Sequence, residues 1–583
     1  MKTKLAGVGL VVGAASVIIG ARSFDHVAQG PAIPARVAAK FPSTWRFPAG
    51  AKATFAAHGI VASDDSLGAQ VGVEIMKQGG NAVDAAVATG FALAVTYPAA
   101  GNLGGGGYMV IRMADGRTAA LDYREVAPLA ATRDMYVGPD GKLTGESLVG
   151  PKASGVPGAV AGMLEAQRKY GVLSRKQVLA PAIRLASQGF VVGKGLARSL
   201  TSDARSIANY GGKAVFLPND APLTPGSRFK QPRLAHTLQL IADSGATPFY
   251  RGSIADSIAA EMQRDGGLIT KADLAKYQPI WRDPIRSTYR GYTLITMPPS
   301  SSGGITITEM LNILEAYGPV SPFGSAERVH ALASASQRAF IDRNAKLGDP
   351  AFVSVPLSTL TSKSYAAQLA REISRDSADR TPRVSESIRE GQETTHYSVA
   401  DRFGNAVATT TTLNDLYGSR VYVTGAGFFL NDEMDDFTSQ PGTPNMFGLI
   451  QGEANAIAPG KRMLSAMSPT IVLDPKGGLL LVTGAAGGPR IISATSQIIL
   501  DVIDHRMSLA DAMSAPRVHH QALPDSIGLE RGGFEPSVVA QLEKMGHYVY
   551  ERGSVASAAS VMRVRGGYEG MDDPRSGGAA VGY

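Results

Sequence analysis

The sequence predicts a layered α+β body, with antiparallel sheets inside and helices packed against them. Strand-like and helical stretches fall in separate blocks and not in strict βαβ alternation. Three stretches carry the reading. Tyr108–Met113 and Thr118–Tyr123 read as strands joined by Ala114-Asp-Gly-Arg117, a hairpin with Asp-Gly in its turn. Residues from about 160 to 275 carry mostly helical patterns, two of which stop at Gly171 and Gly245 as a C-cap would. A second hairpin then begins at Thr394, with His396–Ala400, a turn at Asp401–Asn405 and Ala406–Leu413.

The other elements follow from the same signals. From Ser63 the pattern turns helical through Leu67, Val71, Val73, Ile75 and Met76, and Gly79-Gly80 ends it. Ala82–Val95 is rich in alanine, which allows close helix packing, and leads into the glycine run Gly101–Gly107. Pro469–Leu473 and Leu479–Thr483 read as strands around Gly477-Gly478, and Ser508–Ala515 and Ser537–Met545 as helices. Between the two halves, residues 371–393 are charged and polar, cannot bury a core, and read as an exposed, mobile strip ending at Glu393, just before Thr394.

Composition narrows the function classes. The chain has 583 residues, 44% hydrophobic and 18% charged, which reads as globular. Length alone would allow about four domains, but a large α/β enzyme also forms one body from one chain. The net charge of +7 and pI near 9.3 come without a basic block, a zinc-finger pattern or an RNP motif, so no nucleic-acid partner is expected. There is no cysteine, which excludes disulfides, thiol nucleophiles and Cys-ligated metals. Met1–Lys4 is a short basic region followed by the uncharged run Leu5–Ala21, with small residues at Ala21 and Ser23. Residues 1–23 therefore read as a signal peptide or an uncleaved N-terminal anchor, and 24–52, rich in Pro, Ala and Arg, as a linker. Export to the periplasm or a comparable compartment is the expectation.

Four chemistries are weighed. The nine histidines are scattered; the adjacent pair His519-His520 would point to opposite strand faces, and no His-x-x-x-His occurs, so neither metal nor other cofactor is expected. Gly101–Gly107 and Gly484–Gly488 lack the Lys-Ser or Lys-Thr of a phosphate loop and read as sites of close backbone approach, though free N–H groups there suit an oxyanion. No Gly-x-Ser-x-Gly is present, and Ser154 reads as a plain loop serine. The fourth is threonine. Its hydroxyl is a weak nucleophile unless a base adjoins it, and a free α-amine on the same residue is such a base, with a pKa of about 7.7–8.0. That requires cutting the chain between Glu393 and Thr394. Taken alone, Thr394-Thr395 is ordinary β-branched strand material.

The surroundings add a resemblance. Thr394-Thr-His-Tyr-Ser-Val-Ala-Asp401 resembles the start of the small subunit of γ-glutamyltransferases, members of the N-terminal-nucleophile hydrolase superfamily. Further motifs recur in order: Gly80–Ala86, Asn102–Gly107, Met297-Pro-Pro299, Ser301–Gly304, Leu347-Gly-Asp-Pro350, Gly484–Arg490, Pro516-Arg517 and His519-His-Gln521. The likeness runs from about Ala53 to Tyr583. It implies a four-layer αββα sandwich, self-cleavage at Glu393–Thr394, and a heterodimer of a large subunit (53–393) and a small one (394–583) forming one body.

The resemblance also implies roles. Thr394 would attack the γ-amide carbonyl and form a γ-glutamyl ester, its α-amine moving the proton. Thr412 would orient it, and the Gly487 and Gly488 amides would hold the oxyanion. Arg124 would grip the substrate α-carboxylate, with Ser465 adding a hydroxyl, while Asn414, Glu433 and Asp436 would hold the α-ammonium. The implied substrates are glutathione or other γ-glutamyl compounds, with water, amino acids or peptides as acceptors. Two departures stand out: Ser465-Ala466 where the family usually has Ser-Ser, and Phe447 where some bacterial members have Tyr in the lid-like stretch Pro441–Gly452. The rival readings are an acylase of the glutaryl-cephalosporin type and, in a different class, an uncleaved non-catalytic binding protein. Intact Thr394 and glycines oppose the second, and retained ammonium ligands oppose the first.

Overall fold

Two antiparallel sheets form the centre of the computed structural model, which describes residues 36–381 and 394–583. The proposed leader 1–23, the start of the linker, Glu393 and most of the charged strip lie outside the described residues. The first sheet has seven strands in the order Ala579–Gly582, Ile60–Ser63, Thr394–Ala400, Ala406–Thr412, Gly106–Arg112, Thr118–Asp122 and Ile280–Arg282. The main path of the second runs Thr54–Ala56, Gly567–Asp572, Ser557–Val564, Leu479–Thr483, Thr470–Leu473, Tyr292–Thr296 and Ile285–Tyr289; Ala485–Ala486 pairs onto Ser557–Val564.

Side-chain alternation makes the layers. Successive strand residues face opposite ways, so Ala62, Tyr108, Val110, Ala406 and Ala408 point between the sheets and pack with Ile295, Ile471, Val482 and Val561 of the second sheet. Their neighbours Val61, Met109, Ile111, Tyr397, Val399 and Val407 point outward and pack with helices Ser66–Lys77, Ala82–Thr96 and Ala159–Tyr170. On the far side, Ile307, Met310, Phe340, Ile491, Ile498 and Met513 bring helices Gly303–Tyr317, Ala326–Lys346, Arg490–Ile503 and Leu509–Ser514 against the second sheet. The architecture is a four-layer αββα sandwich. Strands buried on both faces explain why the central ones read as continuous apolar or threonine runs.

Local chemistry sets the elements that position the site. Helix Ala82–Thr96 is buried along its whole length and starts at a capping box, Asn81 with Asp84. Its alanines and Gly90 let neighbours close in: a Cβ on Gly90 would lie 2.7 Å from Met163 Sδ and 2.8 Å from Tyr397 Oη. Thr394–Ala400 and Ala406–Thr412 pair over their full length, and Asp401 Oδ1 closes their turn by accepting from Phe403 and Asn405 N–H. The strands at 280–296 are an addition to the sequence reading. Their signal is the two-residue loop Arg290-Gly291, with φ of 47° and 85°, joining Ile285–Tyr289 to Tyr292–Thr296.

Candidate active site

Thr394 is the first residue of its strand and sits opposite Thr412 in the ladder. Both are buried, Thr394 being 6% exposed. The glycine run explains how this pair is supported. Asn102 Nδ2 donates to the Thr412 carbonyl at 2.9 Å, and its Oδ1 accepts from Gly105 N–H. A Cβ on Gly105 would stand 2.1 Å from the Thr412 oxygen, so only glycine allows this approach. The Thr412 hydroxyl accepts from Asn414 N–H at 2.8 Å, which ties the hairpin end to the next part of the site.

A recess opens beside Thr394. Its walls bring together Arg124, Thr394, Thr412, Asn414, Glu433, Asp436, Ser465 and Gly488, from six separate stretches of chain. Gly487, the remaining sequence candidate, adjoins Gly488 just before helix Arg490–Ile503. The two glycines have φ of 132° and 57°, in the region that glycine tolerates. Among the described residues their N–H groups have no acceptor, while Arg490 and Ile491 donate to their carbonyls. Unused N–H groups at a helix start are donors for a negative oxygen.

The charged wall is built around Arg124. It follows strand Thr118–Asp122, and its backbone N–H is fixed by Asp122 Oδ1. Its guanidinium meets Glu433 at 2.5 Å, Asp436 in a short contact and Glu125 at 3.6 Å. Glu433–Asp436 is a single 3₁₀ turn, in which residues i and i+3 lie one above the other. Both ends of the turn thus reach the same cation. Burial pushes the Glu433 and Asp436 carboxyls up, against the pull of Arg124, and raises Glu125 to about 8. Burial acts to lower Arg124, but Glu433 and Asp436 outweigh it and hold the guanidinium charged. Three carboxyl groups around one guanidinium leave the pocket ready to accept another cation. Asn414, at φ 83°, donates its Nδ2 to the Asp432 carbonyl and Met446 Sδ, leaving Oδ1 as an acceptor.

Opposite lies the turn Ser465-Ala466. The Ser465 hydroxyl accepts from Met467 N–H, and its carbonyl accepts from both N–H and Oγ of Ser302. Ala466 lines the recess with a methyl group, so no hydroxyl is presented there. Phe447, in the 441–452 stretch, lies over Gly488, where an added Cβ would meet its ring at 2.7 Å. If the recess takes a γ-glutamyl group, as the sequence resemblance implies, Ala466→Ser should lower KM for a γ-glutamyl anilide about 3- to 10-fold with kcat nearly unchanged, as one added hydrogen bond would. Steady-state kinetics check it.

Sequence reasoning missed Arg343, which also lines the recess. It comes from helix Ala326–Lys346, just before the Leu347–Pro350 motif, and no spacing sets it apart there. The apolar lining from Leu449, Leu464, Met467, Pro489 and Ile491 was equally unmarked. Among the described residues no cluster of His, Cys, Asp and Glu could hold a metal ion.

With this geometry in view, the comparisons with known proteins are specific. Residues 68–583 match the family model described as gamma-glutamyltranspeptidase. The chain is 47% identical over 536 residues to a glutathione hydrolase proenzyme of Escherichia coli (strain K12), covering 89% of this chain and 91% of the relative. It is 41% identical over 469 residues to the acylase ACY 1 proenzyme of Pseudomonas sp. (strain SE83), covering 79% and 82%. Among solved structures, a cephalosporin acylase from Bacillus halodurans superposes with a TM-score of 0.80 at 27% identity, covering 93% of this chain and 99% of that one. The αββα sandwich is thus of the N-terminal-nucleophile hydrolase type.

Proposed function

The chain belongs to the γ-glutamyltranspeptidase family, and on that premise we propose that it cleaves γ-glutamyl amides through an ester on Thr394 after cutting itself before that residue. It is an enzyme, and glutathione hydrolysis is the activity its relatives carry by name. The observation that carries the reading is the convergence of Thr394, a charged wall and Gly488 of the Gly487-Gly488 turn, whose amides have no acceptor among the described residues, on one recess.

The steps follow from that arrangement. Cleavage of the Glu393–Thr394 bond frees the Thr394 α-amine. That amine takes the proton from the Thr394 hydroxyl as the oxygen attacks the γ-carbonyl carbon. Negative charge gathers on the carbonyl oxygen, which the Gly487 and Gly488 N–H groups would hold. Collapse breaks the C–N bond, the new ammonium returns its proton to the leaving amine, and the ester remains. Water then releases glutamate, or an amino acid or peptide amine takes the γ-glutamyl group. The substrate ammonium would sit among Asn414, Glu433 and Asp436, and its α-carboxylate toward Arg124 and Ser465. The two fragments, residues up to 393 and 394–583, would stay joined as a heterodimer, since their strands alternate within one sheet.

Two measurements bear on this. kcat/KM should rise as pH passes through about 7–8, because the base is the unprotonated amine. On acidification KM should climb for γ-glutamyl but not for glutaryl anilides, since the raised carboxyls of Glu433 and Asp436 take up protons and release the ammonium. The acylase reading has support in the 41% identical relative. The buried carboxylates favour γ-glutamyl over glutaryl groups, which have no amine to hold. Comparing the two anilides tests this: a preference of at least about 10-fold for γ-glutamyl is expected, and equal rates would remove the ammonium site.

Export to the periplasm or a similar compartment belongs to the proposal and is supported by Met1–Lys4 and the run Leu5–Ala21. Among the described residues no helix is long and apolar enough to cross a membrane.

A further inference from the structure

Arg343 is a fully buried guanidinium on the wall of the recess. Its Nε donates to Ser302 Oγ at 3.0 Å, and its Nη1 donates to Asn344 Oδ1 at 2.9 Å and Gln451 Oε1 at 3.0 Å. All three partners are neutral. Among the described residues Nη2 has no acceptor, and Arg343 forms no ion pair. Burial lowers its pKa to about 10, with Asp436 the one carboxylate that opposes the shift. A buried cation without an anion is costly unless one arrives.

Arg343 is also wired to both ends of the site. Ser302, which accepts from Nε, donates its hydroxyl to the Ser465 carbonyl at 2.6 Å, next to Ala466. Gln451, which accepts from Nη1, donates to the Asp436 carbonyl at 3.2 Å. Arg124, by contrast, is already balanced by Glu433 and Asp436. A γ-glutamyl group entering as a zwitterion has its ammonium matched by those acids, while its α-carboxylate needs a positive charge that is not spent.

We propose that Arg343 is a substrate-binding residue that supplies this charge, holding the α-carboxylate through Nη2 on the side where Ala466 presents no hydroxyl. The inference rests on the γ-glutamyl reading and assigns its carboxylate subsite. It places the carboxylate between two guanidinium groups, of which Arg124 is paired with Glu433 and Asp436 and Arg343 is not.

The test uses competitive inhibition of γ-glutamyl-anilide hydrolysis by L-glutamate, glutarate and 4-aminobutyrate, on chains shown to split on a denaturing gel. L-Glutamate and glutarate keep the α-carboxylate, and 4-aminobutyrate lacks it. Arg343→Met should raise the inhibition constants of the first two about 10- to 100-fold and change the third less than about 3-fold. Arg343→Lys keeps a compact charge without the fork, and should reduce the penalty to about 3- to 10-fold with the same selectivity. If the Met variant does not fold, the Lys variant alone decides by that selectivity. Equal loss for all three ligands, or no loss for the two carboxylates, would overturn the proposal. A wild type that splits but cannot hydrolyse the γ-glutamyl anilide would refute the γ-glutamyl reading instead.

Discussion

Thr394→Ala is expected to run on a denaturing gel as a single uncut band, with γ-glutamyl-anilide hydrolysis reduced on the order of 10⁴-fold or more. The substitution removes the hydroxyl and, by blocking cleavage, the amine that would serve it. It removes little else. Thr394 opens a strand whose pairing with Thr412 runs through backbone groups, and alanine is only modestly worse than threonine there, by about 1 kcal/mol at most. The uncut variant should therefore fold and melt near the wild type, so its inactivity cannot be put down to collapse of the sandwich. Thr394→Ser keeps an oxygen nucleophile and should still split, more slowly. Cleavage without activity in Thr394→Ser would separate processing from turnover.

Arg124→Met should lose both activity and stability. The guanidinium is the shared partner of Glu433 and Asp436, all three buried. Methionine fills much of the volume but leaves two carboxyl groups facing each other without a cation. Breaking a buried ion pair from one side costs about 3–5 kcal/mol, readable as a lower denaturant midpoint. kcat/KM for γ-glutamyl substrates should fall about 10²- to 10⁴-fold, the loss of one or two charge-assisted hydrogen bonds. Neutralising the acids in the same chain, Arg124→Met with Glu433→Gln and Asp436→Asn, should recover stability but not activity. That split distinguishes an electrostatic clamp from a packing role. Activity of Arg124→Met within 10-fold of wild type would contradict the assignment.

The parts that could be read from the sequence are those where local chemistry and tertiary role coincide. The hairpin from Thr394 to Thr412 has strand composition and a turn whose Asp401 caps its own loop, so short-range rules find it. The glycines at 101–107 and 484–488 stand where backbones touch or amides stay unused, and glycine is the one residue that permits both. Arg343 is different. It sits in an ordinary helical stretch, and its significance comes from Ser302 and Gln451, 41 and 108 residues away in sequence. No local pattern encodes such a meeting. The same holds for the pairing of Arg124 with Glu433 and Asp436: each charge alone reads as a solvated surface group, and only the fold buries them together. Residues 280–296 lie between; the Arg290-Gly291 loop was a usable signal, but the strand Ile280–Arg282 is short and half-buried, too brief for alternation to show.

The most direct measurement is intact-mass and fragment analysis of the protein quenched during turnover of a γ-glutamyl substrate. A small fragment beginning at Thr394 and ending at Tyr583, carrying one γ-glutamyl group on Thr394, is the predicted result. An uncut chain with full activity, or a γ-glutamyl group on any other residue, would contradict it.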